Sequence, residues 1–287
     1  MKGISVIIIT LNEEKNIEEC LNSIIKQDYP TYEIIVVDSS IDNTLNIVKR
    51  FKKVNVIRSE RGFAIQRNRG IESAKYDIIS FIDADCMAPE DWLSKLAKTL
   101  EEEKLAGVGG NAYPPINSPY IGKCIACLGY PAGGAIGIEE TNRDISTCNS
   151  MFLKEPINKI NGFDNKLRYG GEDSDLIKRL KLLGYKIEHD KNSYVYHKTR
   201  SFNEFVKWSY RRGIAKYQYK YNPIHLLMPL SVLVYPFTKE YKAIIKNRKR
   251  ININLISIIL LIPLLFLIKK IIMSLGWLNG LTKSIRK

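Results

Sequence analysis

The chain has 287 residues, of which 45% are hydrophobic and 26% are charged, so it can form a packed core and is not wholly disordered. The formal net charge of +14 is compatible with an anionic partner, such as a phosphate-bearing substrate, an anionic membrane face or nucleic acid, and equally with a surface that is generally rich in lysine. Its five cysteines have no regular spacing, which argues against a disulfide-stapled secreted fold, and the first residues do not resemble a signal peptide.

The first hundred residues alternate between apolar, β-branched runs and segments with helical spacing of apolar residues. The apolar runs predict strands at residues 4–10, 33–38, 54–58 and 77–83. Helices are predicted for residues 17–25, after Asp42, for residues 64–75 and from Pro89 onward. This alternation predicts an α/β fold with a Rossmann-like, mainly parallel sheet and helices on both faces.

The middle of the chain is less regular. Residues 107–144 are rich in Gly and Pro and are predicted to form irregular loops over the sheet edge. Beyond them, residues 147–154 and 186–197 are predicted to be extended. Residues 172–183 and 201–219 are predicted to be helical, the second helix being basic and aromatic.

The chain changes character after residue 220. Residues 221–238 have no formal charge and contain three prolines, residues 239–250 carry six basic residues and one acid, and residues 251–268 are uncharged. As a helix, the last run would be about 27 Å long, close to the thickness of the hydrocarbon core of a bilayer. We therefore expect an α/β domain at residues 1–220 and a membrane-associated segment with a basic loop and tail at residues 221–287.

The mode of membrane association has three interpretations. The apolar run at residues 251–268 is also compatible with a buried core helix. A hairpin of two spanning helices would place the basic loop outside the cell, against the positive-inside tendency. An interfacial first segment would keep the loop at the cytoplasmic face, where basic residues contact anionic lipid, and we favour this arrangement.

Acidic residues at strand ends are the first candidates for a functional site, because ligands of such sheets bind beyond the carboxyl ends of the strands. Asp83 and Asp85 follow the fourth predicted strand, and two carboxylates at this spacing can converge on one divalent cation, which in turn binds a diphosphate. Alternatively, Asp85 caps the next helix and Asp83 only ends the strand. Asp38 ends the second strand and can accept hydrogen bonds from a base or ribose, or serve as a turn residue.

Two further candidates lie later in the chain. Asp173, preceded by Glu172, begins a helix after two glycines, and an ionised carboxylate in that place can act as a general base. Acidic residues are also common at helix N-termini simply because they interact favourably with the helix dipole. His197 follows a predicted extended segment, and its imidazole can be a third metal ligand or a structural residue.

Six short motifs occur in one order on the predicted elements: Thr10-Leu11-Asn12-Glu13-Glu14, Val36-Val37-Asp38-Ser39-Ser40, Gln66-Arg67-Asn68-Arg69-Gly70, Asp83-Ala84-Asp85, Gly162-Phe163-Asp164 and Gly171-Glu172-Asp173-Ser174-Asp175-Leu176. In this combination the chain resembles the family 2 inverting glycosyltransferases of GT-A fold, over roughly residues 3–220. The resemblance implies metal-dependent transfer of a sugar from a nucleotide-sugar donor to a hydroxyl acceptor, with Mn or Mg as the divalent cation.

The resemblance also implies roles for individual residues. The residues expected to bind the nucleotide sugar are Thr10, Glu13, Asp38, Arg67 and Asp83. The expected metal ligands are Asp85, Asp83 and His197, and the expected catalytic base is Asp173. A cation bridging the diphosphate would offset charge on the leaving group, and one direct displacement would invert the anomeric centre. The expected acceptor is a lipid-linked or membrane-borne glycan.

The sequence departs from the family pattern at Gln66, where a small residue often precedes the arginine, and residues 113–143 carry no acceptor motif that we can recognise. A dinucleotide-binding oxidoreductase would need a glycine-rich turn after the first strand, but two acids follow that strand here. The remaining alternatives are a phosphatase with an aspartate nucleophile and a non-catalytic membrane-bound binding protein. Since no nucleic-acid-binding module is recognised, the basic charge is better explained by lipid or phosphate than by nucleic acid.

Overall fold

The structure is a computed structural model that describes residues 2–131, 145–167, 171–219 and 223–285. The chain divides into two compact units. The first consists of Met1–Ala112 and Asn142–His197, and the second of Tyr113–Thr141 and Lys198–Lys287. The division at residue 220 that the sequence suggested stays a prediction.

The described part of the chain contains eight strands and ten α-helices. The strands are β1 (Ile4–Thr10), β2 (Tyr32–Asp38), β3 (Val54–Arg58), β4 (Ile78–Ile82), β5 (Cys86–Met87), β6 (Gly107–Tyr113), β7 (Asn149–Leu153) and β8 (Ile187–His197). The α-helices are α1 (Ile17–Ile25), α2 (Thr44–Val48), α3 (Phe63–Ser73), α4 (Trp92–Glu102), α5 (Tyr120–Ala126), α6 (Lys154–Lys159), α7 (Glu172–Leu182), α8 (Phe202–Tyr219), α9 (Lys239–Ile251) and α10 (Ile262–Ile285). The four strands and four helices predicted in the first hundred residues are confirmed as elements.

One mixed sheet forms the first unit, in the order β3-β2-β1-β4-β7-β6-β8-β5. Strands β3, β2, β1 and β4 are parallel, whereas β7 runs antiparallel to both β4 and β6. The sheet is therefore parallel only in the half that the alternating pattern covers. Thr10 lies beside Asp38 in the register of β1 and β2, and Asp83 directly follows β4, so these polar residues share one edge of the sheet.

The prediction of irregular loops for residues 107–144 is wrong for the part that the structure describes. Strand β6 is buried along its whole length, although three of its seven residues are glycines. A Cβ atom on Gly107 would lie 2.4 Å from the Phe152 ring, and one on Gly110 would lie 2.5 Å from the backbone oxygen of Ser193. Glycine is thus required by close packing here rather than by a turn. Residues 132–144 lie outside the described residues.

Several predicted helices have different limits in the structure; the helix predicted at residues 64–75, for example, covers Phe63–Ser73. Helix α2 follows Asp42 as predicted but is short, covering Thr44–Val48, and its buried side chains are Thr44, Ile47 and Val48. Helix α4 begins at Trp92 rather than at Pro89. These differences move helix ends by a few residues and leave the order of elements unchanged.

The second unit is helical in its described residues. Helices α8 and α10 pack closely, because a Cβ atom on Gly213 would lie 2.1 Å from the Met273 carbonyl oxygen and one on Gly276 would lie 2.2 Å from that of Tyr210. The uncharged segment with three prolines forms 3-10 helices at Pro223–Leu233 and Tyr235–Phe237. Small residues at the crossing let the two α-helix backbones approach each other.

The basic segment at residues 239–250 was predicted to be a loop, and this is wrong, because it forms helix α9. The Thr238 hydroxyl caps this helix by accepting a hydrogen bond from the Tyr241 amide at 3.2 Å. Asn252, with φ of 59°, ends it in a left-handed conformation. The helix therefore has a defined stop immediately before the apolar run.

The apolar run at residues 251–268 was predicted to be one helix of 18 residues, and its limits are also different. Among the residues that the structure describes, one helix, Ser257–Thr282, is long and apolar enough to cross a membrane, and its most apolar stretch of 18 residues has a mean hydropathy of 2.5. It begins with a π-helical turn at Ser257–Leu261 and continues as α10 past Lys269 and Lys270. Only 28% of its most apolar window is buried, unlike the core helix of a soluble protein.

Candidate active site

The carboxyl ends of β1 and β2 form a polar cluster around Asp38. Asp38 is fully buried and accepts hydrogen bonds from the Thr10 hydroxyl at 2.7 Å and from the Ser40 amide at 3.1 Å. Arg58, whose side chain is about half exposed, forms an ion pair with the other Asp38 oxygen. Burial of a charged carboxylate is costly unless it is paired and hydrogen-bonded, and Asp38 is both.

The turn after β1 lies against the same cluster. The Asn12 amide donates to Ser40 Oγ at 2.8 Å, and the Glu13 amide donates to Thr44 Oγ1 at 2.8 Å. The Glu13 carboxylate accepts a hydrogen bond from the Asn16 side chain within its own turn. Asn12 holds a positive φ of 59°, which asparagine tolerates better than most residues. The predicted nucleoside residues Thr10, Glu13 and Asp38 therefore belong to neighbouring segments.

Gln66, the departure from the family pattern, has a structural role. Its buried amide nitrogen donates to the backbone oxygen of Thr10 at 2.9 Å and to that of Val37 at 2.8 Å. A small residue could not bond the ends of both strands in this way. Gln66 thereby fixes the N-terminal part of α3, including the adjacent Arg67, relative to the sheet edge.

A second cluster forms where β4 ends and β8 ends. The His197 Nε2 atom lies 3.6 Å from Asp83 Oδ2 and 3.6 Å from Asp85 Oδ1. His197 and Asp85 are buried, whereas about a third of the Asp83 side chain is exposed. Strand β5, which follows the two aspartates, pairs with the end of β8 and so brings the imidazole to the carboxylates.

The chemistry of this cluster fits a divalent cation. Burial lowers the pKa of His197, but the Asp85 and Asp83 carboxylates outweigh that effect and raise the pKa to about 10. The centre thus attracts positive charge strongly. A divalent cation would take the place of the imidazole proton, since both the carboxylate oxygens and the neutral imidazole nitrogen are suitable ligands.

Arg67 lies among three acidic side chains. Its Nη1 atom is 2.7 Å from Glu172 Oε1 and 3.5 Å from Asp173 Oδ1, and its Nη2 atom is 3.7 Å from Asp83 Oδ1. Burial lowers the pKa of Arg67, but these carboxylates outweigh it and raise the pKa above its ordinary value. The guanidinium therefore stays charged and connects the N-terminus of α7 to the aspartates that follow β4.

Asp173 is held from two sides. Its carboxylate accepts the Thr147 hydroxyl at 3.2 Å and lies near Arg67, while about a quarter of its side chain is exposed. Burial raises the pKa of Asp173 to about 7, against the lowering effect of Arg67. A carboxylate with this pKa is suited to accept a proton near neutral pH.

Glu172 has a different environment from its neighbour. Its side chain is buried, and one oxygen pairs with Arg67. The other oxygen, Oε2, has no hydrogen-bond partner in the described part of the chain. Gly171, immediately before helix α7, has a φ of 99°, a backbone conformation that would be strained for a residue with a side chain. Glu172 is therefore a buried counter-ion of Arg67, whereas Asp173 is the more accessible carboxylate.

Several residues of the site were missed by sequence reasoning. Thr147 positions Asp173, Arg58 pairs with Asp38, and Cys86 and Cys148 lie close to His197. Burial raises the pKa of the Cys86 thiol well above its ordinary value. The position of Cys86 directly after the two aspartates was a usable signal, whereas Thr147 and Cys148 become visible only once β7 is placed beside β4.

Comparison with known proteins identifies the family. The sequence profile described as "Glycosyl transferase family 2" matches residues 5–160, more than half of the chain, and one described as "N-terminal domain of galactosyltransferase" matches residues 135–206. The chain therefore belongs to glycosyl transferase family 2. It is an enzyme, a glycosyltransferase. This family membership favours sugar transfer over the two alternatives left open by the sequence, a phosphatase and a non-catalytic binding protein.

Two curated relatives match about three quarters of this chain. Glycosyltransferase AglE of Haloferax volcanii is 29% identical, with 75% of this chain and 73% of the relative covered. The second relative, from Methanococcus voltae, is also 29% identical with the same coverage. Its name is dolichyl N-acetyl-alpha-D-glucosaminyl phosphate 3-beta-D-2,3-diacetamido-2,3-dideoxy-beta-D-glucuronosyltransferase.

Solved structures confirm the fold. The mannosyltransferase PcManGT from Pyrobaculum calidifontis, in complex with GDP-Man and Mn2+, has a TM-score of 0.63 at 20% identity, covering 97% of this chain and 86% of its own. Residues 1–349 of TarS from S. aureus, in complex with UDP-GlcNAc, have a TM-score of 0.56 at 19% identity, covering 100% and 81%. The predicted GT-A fold with a C-terminal apolar helix is confirmed.

Proposed function

We propose that the chain transfers a sugar from a nucleotide-sugar donor to a hydroxyl of a lipid-linked or membrane-borne glycan, with inversion and with the help of a divalent cation. The observation that carries this proposal is the meeting of Asp83, Asp85 and His197 beside Arg67 and Asp173 at one edge of the sheet. Cation ligands and a candidate base thus lie within one connected group of side chains.

The donor would bind along this edge. Thr10, Glu13 and Asp38 would hold the nucleoside, and Asp85, Asp83 and His197 would hold the cation, Mn or Mg. The cation would neutralise the diphosphate as it leaves. The GDP-Man and Mn2+ bound to PcManGT support a donor and a cation of these kinds. Arg67 would help to bind the nucleotide sugar, and its ion pairs with Glu172, Asp173 and Asp83 would hold these carboxylates in place.

Asp173 would act as the general base. Its raised pKa and partial exposure suit proton transfer from an acceptor hydroxyl, whereas Glu172 is buried against Arg67. The hydroxyl would attack the anomeric carbon from the face opposite the diphosphate as its proton passes to the Asp173 carboxylate. One such displacement inverts the configuration and needs no covalent sugar intermediate.

The second unit would hold the enzyme on a membrane surface. Along its apolar helix, Ile256, Leu260, Leu264, Ile271 and Leu275 are exposed and form one stripe. The opposite side, which includes Met273 and Trp277, is buried. A helix with one protected side and one exposed apolar side is suited to lie in the bilayer interface.

The charges of the second unit favour the same arrangement. Arg211 and Arg212 adjoin Gly213, where α8 contacts Met273 of the apolar helix, so lipid could not surround that contact without burying charge. The basic helix α9 would contact anionic lipid at the cytoplasmic face. The dolichyl phosphate in the name of the Methanococcus voltae relative supports a membrane-borne acceptor.

A panel of nucleotide sugars tests the proposal. Binding of each donor to the full chain would be measured by calorimetry with Mn, with Mg and with a chelator. We expect one class of donor to bind only in the presence of a divalent cation. Equal binding of that donor with the chelator would contradict the metal-dependent part, and binding of no donor would contradict the proposal as a whole.

A further inference from the structure

Two buried thiols adjoin the proposed cation centre. Cys86 directly follows Asp85 on β5 and lies opposite His197 in the register of β5 and β8. Cys148 directly precedes β7. Both side chains are fully buried, and the two thiols are close enough to hydrogen-bond to each other. The imidazole therefore has sulfur atoms beside it as well as carboxylates.

The distances are those of a ligand cluster. A carboxylate oxygen of Asp83, the Cys148 sulfur and a His197 nitrogen all lie within 4.8 Å of one another. The same holds for Asp85, Cys86 and His197. Ligands at about 2.0–2.3 Å from a tetrahedral zinc ion lie about 3.3–3.8 Å apart. Small side-chain movements would therefore bring both sulfurs and the imidazole around one ion.

The ligand types indicate which cation would use the sulfurs. Carboxylate oxygens suit the hard cations Mn and Mg, whereas thiolate sulfurs add little for those cations and strongly favour zinc. We propose that this centre is also a thiophilic cation site, in which Cys86, Cys148 and His197 bind Zn2+ together with one carboxylate. Each thiol releases its proton to solvent as its zinc–sulfur bond forms.

Simple core packing explains the placement of the Cys86 and Cys148 thiols less well than a cation site does. Buried cysteines commonly act as small apolar side chains. Cys124 and Cys127 of the second unit fit that description, because they are buried but belong to no such ligand group among the described residues. Cys86 and Cys148, in contrast, share one imidazole with Asp83 and Asp85.

One consequence of the zinc site, competition with the cation that supports donor binding, rests on the proposed function. Zinc held by the sulfurs would occupy His197 and one aspartate, and it would therefore compete with the cation that supports donor binding. We expect Zn2+ to inhibit Mn-supported turnover of the donor. Replacing both cysteines, as Cys86→Ser with Cys148→Ser, should weaken Zn2+ binding by about tenfold or more, with a smaller change for Mn.

Cobalt titration of the full chain tests the site without any need for activity. Co2+ bound by thiolate gives a sulfur-to-metal charge-transfer band in the near ultraviolet, which oxygen and nitrogen ligands alone do not give. We expect this band in the wild-type chain and expect Zn2+ to abolish it by displacement. Cys127→Ser, a buried cysteine outside the group, serves as the control and should keep the band.

The variants make the outcome decisive. Each single variant, Cys86→Ser or Cys148→Ser, should weaken the band, and the double variant should lose it while its circular dichroism stays that of the wild type. Cobalt binding without the band, or a band that persists in the double variant, would overturn the inference. A band present in a chain that binds no nucleotide sugar would support the thiol site while contradicting the proposed function.

Discussion

At the scale of single residues, the two aspartates after β4 differ in their surroundings. Asp85 is almost fully buried beside His197, whereas Asp83 is partly exposed and is shared between His197 and Arg67. Asp85 is therefore the better candidate for a fixed cation ligand. Asp83 has access both to solvent and to the guanidinium that holds the N-terminus of α7.

Removal of the Asp85 carboxylate should abolish cation-dependent donor binding. In Asp85→Ala, His197 would keep one carboxylate near it instead of two, and the cation would lose a ligand. We expect the affinity for the donor with Mn to fall by about 100-fold or more, as measured by calorimetry. Asp91→Ala, which removes an exposed carboxylate at the start of α4, is the matched control. Normal donor binding by Asp85→Ala would show that the assignment is wrong.

The role of Asp173 can be separated from donor binding. Asp173→Asn keeps the size of the side chain and can still bond to Thr147, but it removes the basic oxygen. We expect donor binding to be retained and transfer or donor hydrolysis to fall by about 100-fold or more. Asp175→Asn on the same helix, whose carboxylate pairs with Arg179, is the comparison. Undiminished turnover in Asp173→Asn would move the role to Glu172 or Asp175.

The raised pKa of Asp173 also predicts a pH dependence. Because burial raises that pKa to about 7, the carboxyl carries a proton below this pH and cannot accept another. Turnover should therefore rise by about tenfold per pH unit on the acid side and level off above about pH 7. Rate measurements across this range on the wild type and on Asp173→Asn would check it. The acid limb should be absent from the residual activity of the variant, and its persistence there would assign it to another group.

At the scale of elements, strand β6 shows where sequence patterns fail. The β1 limits agree with prediction because its continuous β-branched run is a strong local signal. Strand β6 was missed because glycine has a low strand propensity. The glycines are needed there because Phe152 and Ser193, from distant parts of the chain, approach the strand closely. Lys269 and Lys270 also led to a wrong helix end, because the helix was predicted to stop before them. Lys269 is accommodated within the helix by donating a hydrogen bond to the Leu128 carbonyl oxygen at 2.6 Å.

The candidate site follows the same rule. Local sequence indicated the acidic residues at strand ends, since parallel strands bring their carboxyl ends to one edge. It did not indicate Thr147 beside Asp173, because that contact depends on β7 running antiparallel to β4. Contacts that depend on strand pairing between distant segments leave no short motif in the sequence.

The close packing at β6 predicts a graded effect on stability. A Cβ atom at Gly110 would lie 2.5 Å from a backbone oxygen, whereas one at Gly107 would meet a side-chain ring. Gly110→Ala should lower the free energy of unfolding by about 1–3 kcal/mol, since the backbone of β8 must move. Gly107→Ala should cost less, because the Phe152 ring can shift. Urea unfolding of the two variants would check the order, and an equal or reversed cost would contradict this packing account.

At the scale of the whole molecule, membrane association should depend on the exposed apolar stripe of the second unit. The double variant Leu260→Glu with Leu264→Glu changes two exposed side chains, so the fold should be kept. Binding to vesicles that contain anionic lipid should fall by at least about tenfold, because two leucine contacts with lipid are lost. Leu182→Glu, an exposed leucine of α7, is the control. Sedimentation with vesicles would measure the effect.

Two results would contradict this membrane account. One is a full-length wild-type chain that stays soluble without detergent and does not sediment with anionic vesicles. The other is a Leu182→Glu control that loses vesicle binding as strongly as the stripe variant does. A rise in salt should also weaken binding, since the basic side chains of α9 would act at the lipid surface.

The central claim is inverting sugar transfer that depends on a divalent cation, and the stereochemistry of donor hydrolysis tests it most directly. Without an acceptor, water can take the place of the acceptor hydroxyl, and the freshly released sugar can be observed by nuclear magnetic resonance before its anomers equilibrate. We predict that the sugar appears first with the anomeric configuration opposite to that of the donor, and only when Mn or Mg is present. Release with retained configuration, or at an undiminished rate in the presence of a chelator, would contradict the account.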